Sequence, residues 1–337
     1  MDCYARDTLK HGERITDDGG GTTLVSSGGR FKLGFFNATG SASPKWYVGI
    51  WYNEWDQQTV VWVANRDNPV TNGSTGVSFG IVEDGNLKVW DTTGNVYWST
   101  KCVGNSSSTN RTVKLMDSGN LVLMDNQLAK SLWESFRNPT DTFLPGMKMD
   151  KHLELISWTG DGDPGKGNFT FKQDLEGEGR YVITKKPLDY WRSWMLGNFL
   201  GSDDEMPYDY FLSNFSNTKY PHWPNSSKQP RLDNYKRRNY TNDSYARLVM
   251  NYAGELQYLK WDVDEKNWSL ISRKPEDQCG VYHACGNFGI CNSNHRLICK
   301  CLPGFLSSLL TPRIGIQEII WRGVPEIQHH LTTATCY

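Results

Sequence analysis

A short internal repeat is the feature that most constrains the fold of this 337-residue chain. The segment Asp84–Asp91 reads DGNLKVWD, and Asp117–Asp125 repeats it as DSGNLVLMD, with Asn86 and Asn120 lying 34 residues apart. Each asparagine is followed 12 or 13 residues later by a tryptophan. Apolar positions alternate within both segments, as in half-buried strands, and a repeat of this period is typical of stacked equivalent units. The sequence therefore predicts several copies of a small β-meander, with 28–36 as a weaker third copy.

The composition favours an all-β chain. It contains 14 Trp, 16 Tyr, 13 Phe and 32 Gly, and aromatic-rich runs broken by Gly and Asn turns are typical of β proteins. Basic and acidic residues nearly balance, at 36 and 37, so no overall charge attracts nucleic acid or an anionic membrane. No apolar run is long enough to span a bilayer as a helix. The N-terminal sequence also lacks the basic start and apolar run of a signal peptide, so we interpret it as a mature fragment or an incomplete gene product.

Further apolar runs predict the remaining strands. Val60–Val63 is apolar on both faces, which predicts a strand in the centre of its sheet. A turn-rich segment at 138–146 marks a boundary, and a second strand-rich region follows it. Residues 201–245 are polar and are predicted to form long exposed loops, where ligand specificity would lie. The strands predicted in the second region are 168–172, 180–184, 246–251, 256–261 and 268–272.

Asn-x-Ser/Thr sequons, the acceptors for N-glycans, indicate the compartment of the chain. Their number exceeds what we expect by chance in an Asn-rich chain of this length, so the sequence predicts an N-glycosylated protein of the secretory pathway. The ten asparagines are Asn37, Asn72, Asn105, Asn110, Asn168, Asn214, Asn225, Asn239, Asn242 and Asn267.

Five cysteines near the C-terminal end predict a small disulfide-held module. Their separations of five, five, seven and one residues match an EGF-like module, which depends on disulfides because its core is small. A zinc site is the alternative, because two histidines lie among the cysteines. Zinc ligands usually come in pairs such as Cys-x-x-Cys, whereas the one close pair here has a single intervening residue, so we predict disulfides and no metal. The five are Cys279, Cys285, Cys291, Cys299 and Cys301.

Motifs of catalysis and cofactor binding are weak or absent. Residues 160–165 fit Gly-x-Gly-x-x-Gly, but Pro164 removes a backbone donor and no helix pattern follows, so a turn is favoured over a nucleotide loop. The segment also fails as a calcium loop, because its twelfth position from Asp161 is Lys172 and not Glu. The sequence lacks the hydrolase, metalloprotease and kinase-loop motifs. We therefore predict no enzyme activity and no cofactor.

Several strings together resemble one protein family. They are FKLGFF at 31–36, GIWY at 49–52, TVVWVANRD at 59–67, DSGNLVL at 117–123, WESF at 133–136, PTDTFLPGM at 139–147 and the cysteine run from CGVY at 279 to CLPGF at 305. With them the chain resembles, from about residue 7 to 305, the ectodomain of plant S-locus glycoproteins and S-domain (bulb-type or G-type lectin) receptor-like kinases.

This resemblance implies an all-β architecture of three parts. The first is a bulb-lectin domain with a three-fold β-prism at 7–150, followed by a second lectin-like S-locus glycoprotein domain at 151–273 and an EGF-like module at 274–305. Residues 306–337 depart from the family pattern and form a divergent tail. The family normally continues into a PAN domain, a transmembrane helix and a kinase domain, none of which is recognised in this sequence.

The resemblance also implies cysteine pairs and a location. In the EGF-like pattern, Cys279 pairs with Cys291 and Cys285 with Cys299. The location would be extracellular, either as a secreted protein or as the ectodomain of a plasma-membrane receptor, with no membrane span in this chain.

Bulb lectins hold mannose through the pattern Gln-x-Asp-x-Asn-x-Val-x-Tyr, whose five side chains share one face of a strand. On residues 82–90 only the Asp and Asn match; residues 116–124 also keep two of five but lose the carboxylate, and 27–35 keep none. The candidate sugar contacts are therefore a carboxylate, an amide and a flat apolar ring, namely Asp84, Asn86 and Trp90. The alternative, which we favour, is that Asp84 and Asn86 are turn residues that bond their own backbone.

The leading hypothesis is an extracellular recognition module that binds a protein or peptide ligand, or pairs with related receptor kinases or a second copy of itself. By resemblance its process would be cell recognition, such as recognition of pollen, or signalling in defence. The first alternative is a mannose-type carbohydrate-binding lectin. The second is a truncated gene remnant without function.

Overall fold

The structure is a computed structural model that divides into two compact units, 1–273 and 274–337. Within the described residues its regular structure consists of β-strands and short 3-10 turns, so the all-β prediction is confirmed. The described residues are 6–17, 22–38, 44–53, 55, 58–71, 76–102, 110–149, 152–174, 181–186, 188–192 and 245–303, with the backbone of two strands at 306–307 and 335–336.

The described N-terminal strands form three antiparallel sheets, which are the three sides of the predicted β-prism. The strands are β1 (Thr8–Lys10), β2 (Arg14–Thr16), β3 (Leu24–Val25), β4 (Phe31–Asn37), β5 (Lys45–Tyr52), β6 (Val60–Val63), β7 (Val70–Thr71), β8 (Ser78–Ile81), β9 (Leu87–Trp90), β10 (Val96–Ser99), β11 (Arg111–Leu115), β12 (Leu121–Asp125) and β13 (Lys130–Glu134). The sheet orders are β3-β4-β5-β6 with β7 also paired to β5, β10-β9-β8-β2, and β1-β11-β12-β13.

The sequence repeat corresponds to a tight turn that opens one strand of each sheet. In each copy a glycine N–H closes the turn onto the carbonyl three residues earlier, at Ser26, Val82 and Met116. The closing glycines have φ near +80°, a conformation that costs other residues energy because of their Cβ. The second residue after each glycine is buried, which fixes the inward face of the strand. The glycines are Gly29, Gly85 and Gly119, and the buried residues are Phe31, Leu87 and Leu121.

Three tryptophans, one from each sheet, meet inside the prism. Trp62 of β6, Trp98 of β10 and Trp133 of β13 lie with ring centroids 5.5 to 5.7 Å apart in edge-to-face orientations. Edge-to-face packing is a favoured arrangement of aromatic rings and adds to the free energy of burying them. The tryptophan that follows each repeat therefore serves to join the three sheets.

Val60–Val63 forms a strand, but the prediction that this strand lies in the centre of its sheet is wrong. β6 lies at the end of its sheet, with β5 as its neighbour. All four residues are nevertheless buried, and the Trp62 indole N–H donates to the Asn138 carbonyl at 2.9 Å. The strand is apolar on both faces because other segments of the same unit cover it, which sequence periodicity cannot distinguish from a central position.

The rest of the first unit adds two more antiparallel sheets. Their strands are β14 (Thr142–Phe143), β15 (Glu154–Gly160), β16 (Asp163–Gln173), β17 (Tyr181–Lys185), β18 (Leu188–Arg192), β19 (Ala246–Met250), β20 (Leu256–Asp262) and β21 (Asn267–Lys274). The orders are β15-β16-β17-β18 and β14-β19-β20-β21. β14 precedes the expected boundary at residue 150 but pairs with β19, and one continuous core extends from Leu9 to Tyr258. The two expected lectin-like domains therefore pack as one unit.

A fourth copy of the turn lies in the second of these sheets. The Gly254 N–H closes a turn onto Asn251, and Leu256, two residues further on, is fully buried. Trp268 follows Glu255 by 13 residues, as Trp133 follows Asn120. This copy is hard to recognise in the sequence because Glu255 stands where the copies at 84–91 and 117–125 have asparagine.

The second unit is a small module held by disulfides. Cys279 is bonded to Cys291 and Cys285 to Cys299, the pairs that the family resemblance implies, and Cys301 is disulfide-bonded as well. Its strands are β22 (Gly289–Cys291) and β23 (Cys299–Cys301), which pair antiparallel, and β24 (Leu306–Ser307) and β25 (Thr335–Cys336), which pair in parallel. Most of the divergent tail, 306–337, lies outside the described residues.

Within the described part of the chain, no helix has the length and apolarity needed to cross a bilayer.

Candidate functional site

The candidate sugar residues lie at and just before strand β9. Leu87 and Val89 of this strand are fully buried, whereas the residues between and beside them, Asn86, Lys88 and Trp90, are partly exposed. The pattern residues therefore share the outward face, as alternation along a strand requires. The sequence was sufficient to place this face.

The carboxylate of the candidate site is already bound within the chain. The Lys88 ammonium lies 2.6 Å from Asp84 Oδ2, and the Asn86 backbone N–H donates to Asp84 Oδ1 at 2.8 Å. Partial burial acts to raise the pKa of Asp84, but the hydrogen bonds from Lys88 and Asn86 outweigh it and hold the pKa below its usual value. Lys88 stands where the mannose pattern has valine, so an ammonium replaces an apolar contact and neutralises the adjacent carboxylate.

The Asn86 side chain joins the start of β9 to the end of β10. Its Oδ1 accepts hydrogen bonds from Thr100 Oγ at 3.0 Å and from the Cys102 backbone N–H at 2.7 Å. Thr100 Oγ in turn accepts from the Leu87 N–H at 3.2 Å. Both lone pairs of the amide oxygen are therefore used inside the protein.

The second copy of the repeat has the same link. Asn120 Oδ1 accepts from Ser135 Oγ at 3.2 Å and from the Phe136 N–H at 3.1 Å, and Ser135 Oγ accepts from the Leu121 N–H at 2.9 Å. Asn120 also donates from Nδ2 to Glu134 Oε2 at 3.1 Å. Because two equivalent asparagines make the same connection, the Asn of the repeat has a structural role in this chain. Asp84 behaves as the turn residue we favoured, whereas Asn86 bonds a neighbouring strand and not its own turn.

Arg66 is a buried cation that the sequence analysis did not single out. Its side chain is 6% exposed, and its guanidinium donates to four backbone carbonyls of the β15–β16 hairpin. These acceptors are Ile156 O at 3.0 Å, Ser157 O at 2.7 Å, Pro164 O at 3.0 Å and Gly165 O at 3.2 Å. The ANRD string at 64–67 therefore attaches the prism to the second lectin-like region.

Asp141 is the buried acid that accompanies Arg66. It is 5% exposed and accepts hydrogen bonds from Thr140 Oγ at 3.0 Å and Thr142 Oγ at 3.3 Å. Burial raises its pKa, and the positive charge of Arg66 opposes that rise. Asp141 belongs to the PTDTF string at 139–143, so this string also serves packing between the sheets.

An aromatic cluster with two arginines lies between the sheet of β5 and the sheet of β19. Trp55 stacks on Trp261 with centroids 4.0 Å apart and contacts Trp268 at 5.0 Å. Tyr52 lies beneath, with its ring centroid 4.2 Å from that of Trp55. The guanidinium carbon of Arg247 lies 4.4 Å from the centroid of Trp268, and that of Arg30 lies 4.8 Å from the centroid of Tyr245. We call these seven residues the aromatic–arginine cluster.

The cysteine geometry argues against the zinc alternative. The sulfurs of Cys285, Cys291 and Cys299 lie within 4.8 Å of one another, close enough in principle to share an ion. All three belong to disulfides, and a disulfide sulfur has no thiolate to offer zinc.

The remaining predicted features are placed as follows. Asp161 and Gly162 form the turn between β15 and β16, so the segment at 160–165 contains the predicted turn, and its other residues belong to the two strands. Among the sequon asparagines that the structure describes, Asn37, Asn110, Asn168 and Asn267 are exposed. The other six sequons and the predicted loops at 201–245 lie outside the described residues.

Comparison with protein families gives two matches. The D-mannose binding lectin family matches residues 59–158, and the S-locus glycoprotein domain matches residues 191–309. Among solved structures, a Marasmius oreades lectin is 20% identical with a TM-score of 0.28, and covers 39% of this chain and 90% of its own.

Comparison with curated proteins gives relatives along most of the chain. A G-type lectin S-receptor-like serine/threonine-protein kinase of Arabidopsis thaliana, At4g03230, is 47% identical over 92% of this chain and 36% of its own length. Receptor-like serine/threonine-protein kinase SD1-8 of the same plant is 34% identical over 88% of this chain and 34% of its own length. The chain thus spans about a third of the length of these relatives.

The two family matches and the curated relatives agree with the resemblance of the sequence. The chain is homologous over most of its length to the G-type lectin S-receptor-like kinases, and it contains the bulb-lectin and S-locus glycoprotein domains of that family.

Proposed function

We propose that this chain is an extracellular recognition module that binds a protein or peptide ligand, or pairs with a related receptor kinase. The observation that carries the proposal is the internal use of Asp84 and Asn86. A carboxylate bound by Lys88 and an amide oxygen bound by Thr100 and Cys102 leave few acceptors for sugar hydroxyls. The lectin fold then serves as a scaffold that presents other surfaces.

Three observations support an extracellular location as part of this proposal. The homologous segment of the receptor kinases is their ectodomain. Five cysteines of the second unit are disulfide-bonded, and such bonds persist in oxidising compartments. The four described sequon asparagines are exposed, which supports N-glycans at Asn37, Asn110, Asn168 and Asn267.

A peptide-selection experiment tests this proposal. The glycosylated chain and its Asp84→Ala variant would each be used to select binders from a displayed random peptide library. We expect the same peptide families from both proteins, because the proposed recognition does not use Asp84. Failure to enrich any peptide, together with mannose-glycan binding by the wild-type chain alone, would overturn it.

A mannose-type lectin is the second candidate, because the D-mannose binding lectin family matches residues 59–158. It requires the Asp84–Lys88 ion pair to open so that the carboxylate can accept from sugar hydroxyls. Glycan-array binding that Asp84→Ala abolishes and Lys88→Val strengthens would favour it. The matched control is the exposed Ser118→Ala in the second copy, where serine stands in the position of the pattern's carboxylate.

A further inference from the structure

The sequon asparagine Asn37 lies directly opposite a tryptophan. Asn37 is the last residue of β4, and its side chain is exposed. In the antiparallel pair of β4 and β5, Asn37 is the register partner of Trp46. Opposite residues in such a pair have side chains on the same face, with Cβ atoms about 4.5–5.5 Å apart. A group attached to the Asn37 amide therefore starts beside the Trp46 indole.

A second aromatic residue shares this face of the sheet. Phe35 precedes Asn37 by two residues in the same strand, and alternation places their side chains on one side. Phe35 and Trp46 both pack against the core of the first unit but are only partly buried. On its other side Trp46 lies opposite Val70 of β7, which is 2% exposed. The two rings therefore form an apolar surface at the edge of the core, next to the sequon.

The chemistry of an N-glycan suits this surface. Its first sugar, N-acetylglucosamine, is bonded to the asparagine amide and has a ring face made of C–H groups. These hydrogens carry a small positive charge, whereas the face of an aromatic ring is negative, so the two surfaces attract each other. The covalent bond also holds the sugar next to the rings, so the contact forms without the loss of translational freedom that a free ligand incurs.

Asn110 provides a contrasting sequon within the same unit. It faces Asn126, whose backbone N–H donates to the Asn110 carbonyl at 3.0 Å and whose Nδ2 donates to Asn110 Oδ1 at 3.2 Å. Thr112 Oγ in turn donates to Asn126 Oδ1 at 3.0 Å. The described neighbours of this exposed asparagine are therefore polar, and they offer a sugar no aromatic face.

We propose that the first N-acetylglucosamine on Asn37 packs against Phe35 and Trp46 and covers the edge of the core there. The sugar is then a part of the fold, and this surface is closed to an external ligand. The inference rests on N-glycosylation at Asn37, which belongs to the proposed function, but it does not depend on which ligand the module binds.

Nuclear magnetic resonance of the whole chain with 13C-labelled glycans tests the contact. Aromatic rings shift protons above their faces upfield. We expect the ring protons of the sugar on Asn37 to lie upfield of those in free N-acetylglucosaminyl-asparagine, and those of the sugar on Asn110 to match this reference. Asn37→Gln and Asn110→Gln assign the signals, because each removes one set. Unshifted protons on the Asn37 sugar would refute the packing.

Mass spectrometry of the glycopeptides separates this inference from the one on which it rests. An unoccupied Asn37 would overturn both the glycan at this position and its packing. An occupied Asn37 with unshifted sugar protons would overturn the packing alone.

A stability cycle tests the contribution of the rings. Asn37→Gln should lower the Tm of the first unit by about 2 °C, if the contact is comparable to one aromatic pair. In the background of Trp46→Leu, or of Phe35→Leu should that variant fold better, the same replacement should have a smaller effect, because a ring is missing. Asn110→Gln, the matched control, should change Tm equally in both backgrounds. An equal loss from Asn37→Gln with and without Trp46 would overturn the proposal.

Discussion

Replacement of Arg66 by methionine should destabilise the first unit more than any surface change. Methionine fills a similar volume, so the test removes the charge and the hydrogen bonds with little change in packing. The side chain is 6% exposed, and its guanidinium satisfies carbonyls of residues 156, 157, 164 and 165 at 2.7 to 3.2 Å. The variant leaves these acceptors and the buried Asp141 without their cation.

The size of the effect follows from the burial of the pair. Each hydrogen bond to a charged group contributes about 1.5–3 kcal/mol net, but the desolvation of the guanidinium offsets part of that sum. The free energy lost when one partner of a buried ion pair is removed, about 3–5 kcal/mol, is therefore the better estimate for Arg66→Met. For a unit of this size the expected fall in Tm is on the order of 10 °C.

The assay is thermal and urea unfolding followed by tryptophan fluorescence. Arg137→Met is the matched control, because that side chain is 81% exposed and its contact with Glu134 is 3.8 Å long; we expect a change below about 0.5 kcal/mol. The double variant Arg66→Met/Asp141→Asn should recover part of the loss, because a neutral side chain replaces the uncompensated acid. A change of less than about 1 kcal/mol in Arg66→Met would refute the argument that this residue fixes the hairpin.

Three further predictions follow from described contacts. Burial raises the pKa of Asp141 against the opposing charge of Arg66, so the contribution of Asp141 to stability is full at low pH and is lost as pH rises from its ordinary pKa through the raised value. Arg66→Met should therefore cost more stability at about pH 7, where Asp141 is charged, than at about pH 4. Urea midpoints that show the opposite trend would contradict this. Asn120→Ala should cost about 1–3 kcal/mol, because it strands the Phe136 N–H and Ser135 Oγ, whereas the exposed Asn126→Ala should cost less than half as much in the same unfolding assay. Reduction with dithiothreitol should release residues 274–303, since each disulfide closes a loop of 12 or 14 residues and contributes about 3 kcal/mol; amide hydrogen exchange should rise there and stay unchanged across 110–149.

Local pattern was enough to predict strands such as those at 246–251 and 256–261, and the outward face of β9. The alternation of Leu87, Lys88, Val89 and Trp90 gives the face directly, and the Gly-Asn-Leu string gives the turn before it. The presence of Lys88 in the valine position was also visible in the sequence. The ion pair between Lys88 and Asp84 could not be predicted from the sequence. A strand pattern gives the face on which each residue lies, but it does not give the direction in which a long side chain extends.

Contacts between distant segments explain what the sequence did not predict. Arg66 bonds carbonyls 90 to 99 residues further along the chain, a pairing that one sequence without relatives cannot provide. The edge position of β6 was missed for the same reason, because its cover comes from residues such as Asn138. The aromatic–arginine cluster also joins positions near 52 to positions near 260, so its tryptophans appeared in the sequence only as scattered aromatics.

A titration of the glycosylated chain with methyl α-mannoside, followed by calorimetry, tests the central claim most directly. The claim is that the mannose pattern on β9 is used for internal contacts through Lys88, Thr100 and Cys102. It predicts no saturable binding up to millimolar sugar. Saturable binding by the wild-type chain that disappears in Asp84→Ala, with the variant still folded, would contradict it.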